Sequence, residues 1–298
     1  MELIEPTLKT KDMKRITSIL LVFIMAISTQ ACSFSGNYGF GNGKRVKGSN
    51  NYVTKEIRTG NFKKISVSGS SDVTYTQKSG KPKVEVYTSD NIVELLDIYV
   101  KDNTLHIGFK KGYNISYNKL EVRVTSPDLN KISVAGSADI NLANGIKTDD
   151  FGISVAGSAD IKSPHTIACE NICSITIAGS GDIDANALRC NRLEVSVAGS
   201  GDMTIKDAQA TSANASVAGS GTVTIAGSVD NAEYSVAGSG DLNVSNLRAR
   251  SVSAQVSGSG DIRCHATEYL KARTAGSGGI GYKGNPQLDL EKKGIYKL

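Results

Sequence analysis

The stretch "SVAGSGD" at residues 196–202 recurs, slightly varied, nine times along the chain, beginning at Ser66, Ser133, Ser154, Thr176, Ser196, Ser216, Ser235, Gln255 and Arg273. The first glycines of the last eight copies are Gly136, Gly157, Gly179, Gly199, Gly219, Gly238, Gly258 and Gly276, separated by steps of 18 to 22 residues. A fixed period of this size signals a solenoid, in which stacked copies of one unit bury a continuous core. Helical repeats need roughly 33 residues or more per unit. Here the flanking residues alternate with period 2: in "LEVSVAGSGDMTI" Leu193, Val195, Val197, Met203 and Ile205 can face inward, while Glu194, Ser196, Asp202 and Thr204 face outward. That is strand patterning. The expected fold is all-β, a parallel β-solenoid with coils of about 20 residues, each strand pairing with its equivalent about 4.8 Å above and below.

The heptad then marks a corner that every coil must turn. Gly199 and Gly201 are expected to supply positive φ without Cβ strain, and Asp202 to accept hydrogen bonds from the following amides. The eight motif glycines are assigned as structural turns on the same ground. A second ladder supports the register: Ile146, Leu188, Ala208 and Leu247 each lie eleven residues before a motif glycine, and Ile167 lies twelve before.

The regular region is expected over 131–280. Residues 53–130 contain strand-like "KVEVYTSD", "TLHIGFKK" and "KLEVRVTS" around a short helical "NIVELLD", and are expected to form irregular first coils that cap one end. Residues 281–298 would cover the opposite edge, since a bare strand edge invites aggregation.

Upstream, Lys14 and Arg15 precede a nine-residue apolar run, Ile19 to Ile27, and small residues lead into Cys32. The run is too short to span a bilayer, which takes about 20 residues. Residues 1–31 read as a secretory signal peptide, with Met13 an alternative start. "STQAC" resembles a bacterial lipobox, although Thr29 and Gln30 replace its commonest residues, so Cys32 is the expected lipidation site and plain cleavage nearby the other reading. Residues 32–52, rich in Gly, Asn and Ser, are expected to be a flexible tether. The net charge of +5 hides an asymmetry, because residues 131–280 hold 11 Lys or Arg against 15 Asp or Glu. Such a region has no electrostatic footprint for nucleic acid.

Taken together, the "GSGD" corner, the lead-in "FKKISVSGSSDVTYTQKSGKPKVEVYTSDNIVELLDIYVKDNTLHIGF" and the closing "GYKGNP" resemble the head GIN domain family of auto-transporter adhesins, a DUF2807-type family, over roughly residues 60–290. The resemblance implies a β-solenoid, pectin-lyase-like in outline, on a secreted or lipid-anchored envelope protein.

Candidate chemistry is sparse. Asp139, Asp160, Asp182, Asp202, Asp241 and Asp261 recur at one corner, interrupted by Thr222 and Gly279. Carboxylates about 4.8 Å apart repel by roughly 1 kcal/mol in water-like surroundings and about 3.5 kcal/mol at an effective dielectric of 20, so turn amides or calcium must offset them. Turn amides are the preferred reading, with Asp182 and Asp202 as calcium candidates. Cys169 and Cys190 fall on adjacent coils and leave a disulfide or unpaired thiols open; the Cys169 and Cys173 spacing is weak for zinc. His106, His165 and His265 accompany no nucleophile motif, and Arg248, Arg250, Arg263 and Arg273 show no acidic partner cluster in the sequence. No catalytic residue, cofactor or resident metal is expected. The reading is a non-enzymatic outer-membrane lipoprotein of a bacterial envelope, facing the surface or periplasm, an adhesin or a binding or structural surface. Its expected partners are the membrane through its lipid, a glycan or an envelope or host-surface protein, and a second copy of itself. The alternatives are a β-helix carbohydrate-active enzyme and a periplasmic scaffold or lipid-binding protein.

Overall fold

The computed structural model describes residues 43–291 and 293–298; the expected signal peptide, Cys32 and most of the expected tether lie outside the described residues. Lys44–Leu298 forms one unit, a parallel β-solenoid of about eight turns. The repeat copies are stacked in strict register, so that Ser133, Ser154, Thr176, Ser196, Ser216, Ser235, Gln255 and Arg273 form one column and the motif glycines another.

Inward positions make equally continuous columns. Val134, Val155, Ile177, Val197, Val217, Val236 and Val256 stack on one wall, and Ile140, Ile161, Ile183, Met203, Val223, Leu242, Ile262 and Ile280 on the next. All are buried. Each such side chain taken from water contributes about 1.5–3 kcal/mol, so the core stabilises the rod coil by coil rather than at one centre. The second ladder runs Ile146, Ile167, Leu188, Ala208, Gly227, Leu247. Gly227 escapes notice in the sequence because it is not apolar, yet its φ of +130° and the 2.0 Å between a Cβ there and the Ala208 carbonyl oxygen explain the glycine.

At the corner, Gly136, Gly157, Gly179, Gly199, Gly219, Gly238, Gly258 and Gly276 hold φ between +121° and +140°. The Gly179 carbonyl accepts both the Ser200 and Gly201 amides, at 2.9 and 3.1 Å, so the bend of one coil is tied to the bend below it. The expectation of positive φ at Gly201 is corrected: Gly201 is not among the positive-φ glycines. It is small because a Cβ would lie 2.3 Å from the Gly181 carbonyl oxygen, and Ala138 and Ala159 occupy the equivalent place in the "GSAD" corners.

The N-terminal coils stack out of chain order. The strand Lys64–Gly69 pairs with Lys131–Gly136 on one side and Thr104–Phe109 on the other, and Asp72–Gln77 likewise lies between Ile140–Leu142 and Leu120–Ser126. The chain thus builds the second coil first, folds outward to make the end coil, then passes the second coil to start the third. The antiparallel strands Leu96–Lys101 and Lys83–Ser89 cover the end coil, and Tyr52–Ile57 pairs with the latter. The helix in this segment is one turn, Asp90–Val93. Buried Tyr75 ties the cap together through its hydroxyl, 2.9 Å from Ser126 Oγ. The tether expected over 32–52 is corrected at its end: Lys44–Lys47 is a strand paired with Tyr113–Ser116, and Asn91 holds the Lys47 carbonyl at 2.8 Å. At the other end Ile280–Lys283, Gln287–Glu291 and Ile295–Lys297 continue the parallel stack.

Candidate binding surface

The aspartate column faces solvent, and its carboxylates bond upward rather than within their own turn. Asp182 Oδ1 accepts the Asp202 amide at 3.0 Å, Asp202 Oδ1 the Thr222 amide at 2.8 Å, Asp241 Oδ1 the Asp261 amide at 3.0 Å and Asp261 Oδ1 the Gly279 amide at 2.7 Å. This corrects the expected acceptance from the following amides of the same corner. It also accounts for the interruptions, since Thr222 and Gly279 need only donate an amide. Where Thr222 has no carboxylate to offer, the Asp241 amide turns to the Gly221 carbonyl at 3.1 Å. Asp72 at the base has its pKa raised by burial and then by the charge of Asp139. Among the described residues no cluster of three or more His, Cys, Asp or Glu is arranged to hold a metal. With one oxygen of Asp182 and of Asp202 engaged by an amide, chelator is expected to leave the melting temperature unchanged. A reversible loss restored by calcium would reassign the column to calcium.

Cys169, Cys173 and Cys264 are buried free thiols and Cys190 is half-buried. Cys173 is hydrogen-bonded to Cys169, which together with burial holds its pKa well up, and Cys190 lies close enough to add to the shift. Burial pushes Cys190 to about 11 and Cys264 to about 12. At neutral pH Cys173, Cys190 and Cys264 are therefore protonated and weakly nucleophilic.

The basic residues sort into two sets. Arg250 pairs with Asp230 at 2.9 Å, Arg273 with Asp289 at 2.8 Å and Glu291 at 3.1 Å, and Arg189 with Asp207. Arginine partners absent from the linear sequence are therefore supplied by neighbouring coils. In contrast, Arg248, His265 and Lys283 stack in one column. Burial first, then the positive charges of Arg248 and Lys283, lower the His265 pKa.

The outward columns five and seven residues before the motif glycine form a shallow groove across several coils. One column runs Arg192, Ser212, Asn231, Ser251, Tyr269 and the other Glu194, Asn214, Glu233, Ser253, Lys271. All of these except Glu194 line a cavity of about 390 Å³. No short motif flags these residues, because each coil contributes only one or two. The signal that could have found them is polarity at fixed offsets from the glycine, read down the repeat.

The family model described as "Putative auto-transporter adhesin, head GIN domain" (DUF2807) matches residues 61–166 and 164–286. The chain belongs to the head GIN domain family. Among solved structures, a "putative lipid binding protein" from Parabacteroides distasonis is 27% identical, with a TM-score of 0.68 over 86% of this chain and 100% of its own. A "putative adhesin" from the same organism is 26% identical, with a TM-score of 0.70 over 85% and 99%. A "putative adhesin" from Parabacteroides merdae, at 24% identity and a TM-score of 0.64 over 86% and 99%, shares the fold. No curated protein matches the chain significantly. Membership of the head GIN family agrees with an adhesin-like protein of the cell envelope or surface, and neither the family nor these neighbours carry an enzyme's name.

Proposed function

We propose that this protein is a non-enzymatic adhesin, held on the outer membrane of a bacterial envelope by a lipid on Cys32, with the solenoid wall as its binding surface. The observation that carries the reading is the wall itself, whose polar side chains are repeated in register over many coils with their polar groups turned outward. Hydrolysis of a glycan needs an acid, a base and a charge stabiliser converging on one bond. The groove columns instead spread mainly Ser and Asn along a surface, with Glu194 paired to Arg192 and Glu233 set beside Asn214 of the next coil, which suits contact rather than turnover.

A lipid-binding role is the second reading, suggested by the name of the Parabacteroides distasonis relative. The interior is filled from Ile132 to Ile280 by side chains that are almost wholly buried, so a lipid would have to lie against the outside of the rod. Among the described residues no helix is long and apolar enough to cross a membrane.

Two measurements test the proposal. Cys32→Ala is expected to move the protein from the membrane fraction to the soluble one, and unchanged membrane association would sink the lipid anchor. The intact protein, presented to arrays of glycans and to host-surface and envelope proteins, is expected to bind without cleaving pectins or other polysaccharides. Cleavage lost on changing one Asp or Arg in a folded variant would make it an enzyme instead.

A further inference from the structure

The groove has the chemistry of a carbohydrate site, and resting on the adhesin reading, we propose that it binds a neutral oligosaccharide laid across four or five coils. Sugars are recognised by planar amides and carboxylates that bond pairs of hydroxyls, and by aromatic rings that cover the apolar face of a pyranose. The groove holds both. Asn231 and Glu233, seven and five residues before Gly238, share one coil, and Asn214 sits beside Glu233 on the adjacent coil, about 4.8 Å away along the rod. Among the described residues none of these three side chains has a hydrogen bond or ion pair to the protein, and all three line the cavity. Ser251 and Ser253 extend the row by one coil.

Tyr269 closes the groove at one end. The residue is 36% exposed, and its hydroxyl donates to Asp289 at 3.2 Å, which is itself held at 2.8 Å by Arg273. A ring oriented before the ligand arrives costs little ordering entropy on binding. Arg192 closes the other end and is neutralised by Glu194 at 2.8 Å. Glu233 and Lys271 carry opposite charges on the groove and Arg192 is paired with Glu194, so the groove has no net charge to draw an anionic polymer, and the ligand is a neutral one.

The test is calorimetric titration of the intact folded protein with cellohexaose, mannohexaose and chitohexaose, and with polygalacturonate as the anionic control. At least one neutral hexasaccharide is expected to bind. Tyr269→Ala and the double variant Asn214→Ala with Asn231→Ala should each weaken it at least tenfold at unchanged melting temperature, while Tyr269→Phe keeps the ring and most of the affinity. Hexasaccharide binding indifferent to these variants would overturn the groove and leave the adhesin reading standing. Preference for polygalacturonate, lost in Arg248→Ala with Lys283→Ala, would move the ligand to the basic column and equally overturn it. Absence of binding to all three neutral hexamers would also overturn the groove, and the adhesin reading would then be decided by the array measurement alone.

Discussion

Gly199→Val is expected to lower stability by about 2–6 kcal/mol, adding backbone strain of about 1–3 kcal/mol to overpacking of similar size. At a φ of +132° a β-branched residue is strained whatever the space, and its Cβ would fall 2.2 Å from the Gly179 carbonyl oxygen. That oxygen cannot retreat, because it already accepts the Ser200 and Gly201 amides. Gly201→Ala separates the two causes, having the steric conflict without the positive φ, and is expected to cost less. Ser196→Thr should stay within about 0.5 kcal/mol, since the outward column already contains Thr176. Urea melts of the three variants check the order, and a Gly199→Val midpoint equal to that of Ser196→Thr would refute the stacked corner. Because coils contact only their neighbours, hydrogen exchange should rise first in the Gly179 to Gly219 coils.

The second large effect concerns Tyr234, the one aromatic residue in its interior column. Ala215 and Ala254 lie directly below and above it, and these small neighbours make the room it fills. Tyr234→Ala is expected to cost about 3–5 kcal/mol, because the flanking methyls cannot reach into the cavity left behind. Tyr234→Phe should do the opposite. The phenol oxygen is buried with no hydrogen-bond partner, so deleting it is expected to stabilise by about 1 kcal/mol. Burial raises the Tyr234 pKa well above its usual value of about 10. Its neutral form therefore supports the fold fully below about pH 10, and that support is lost as pH climbs further. The Phe variant should accordingly lose less stability than the parent in alkaline melts, and a Phe variant less stable at neutral pH would show that the hydroxyl has a partner.

The architecture of residues 131–280 was legible in the sequence because a solenoid places equivalent residues of successive coils against one another. Reading down the repeat was reading contacts. Alternation around "LEVSVAGSGDMTI" named the buried residues, and the eleven-residue offset named a second wall, missing Gly227 only because a glycine carries no hydrophobic signal. The direction of each aspartate's hydrogen bond, and the ordinary φ of Gly201, were set by how closely one coil lies on the next, a vertical distance that a linear pattern does not contain. Tertiary structure alone decided the order of the first coils. Residues 64–77 lie between 104–126 and 131–142 because the capping strands pair antiparallel, and nothing in their composition says which edge they must cover. The groove belongs to the same class: Asn214, Asn231, Glu233 and Tyr269 are unremarkable polar residues along the chain, and only stacking four coils in register brings them to one surface.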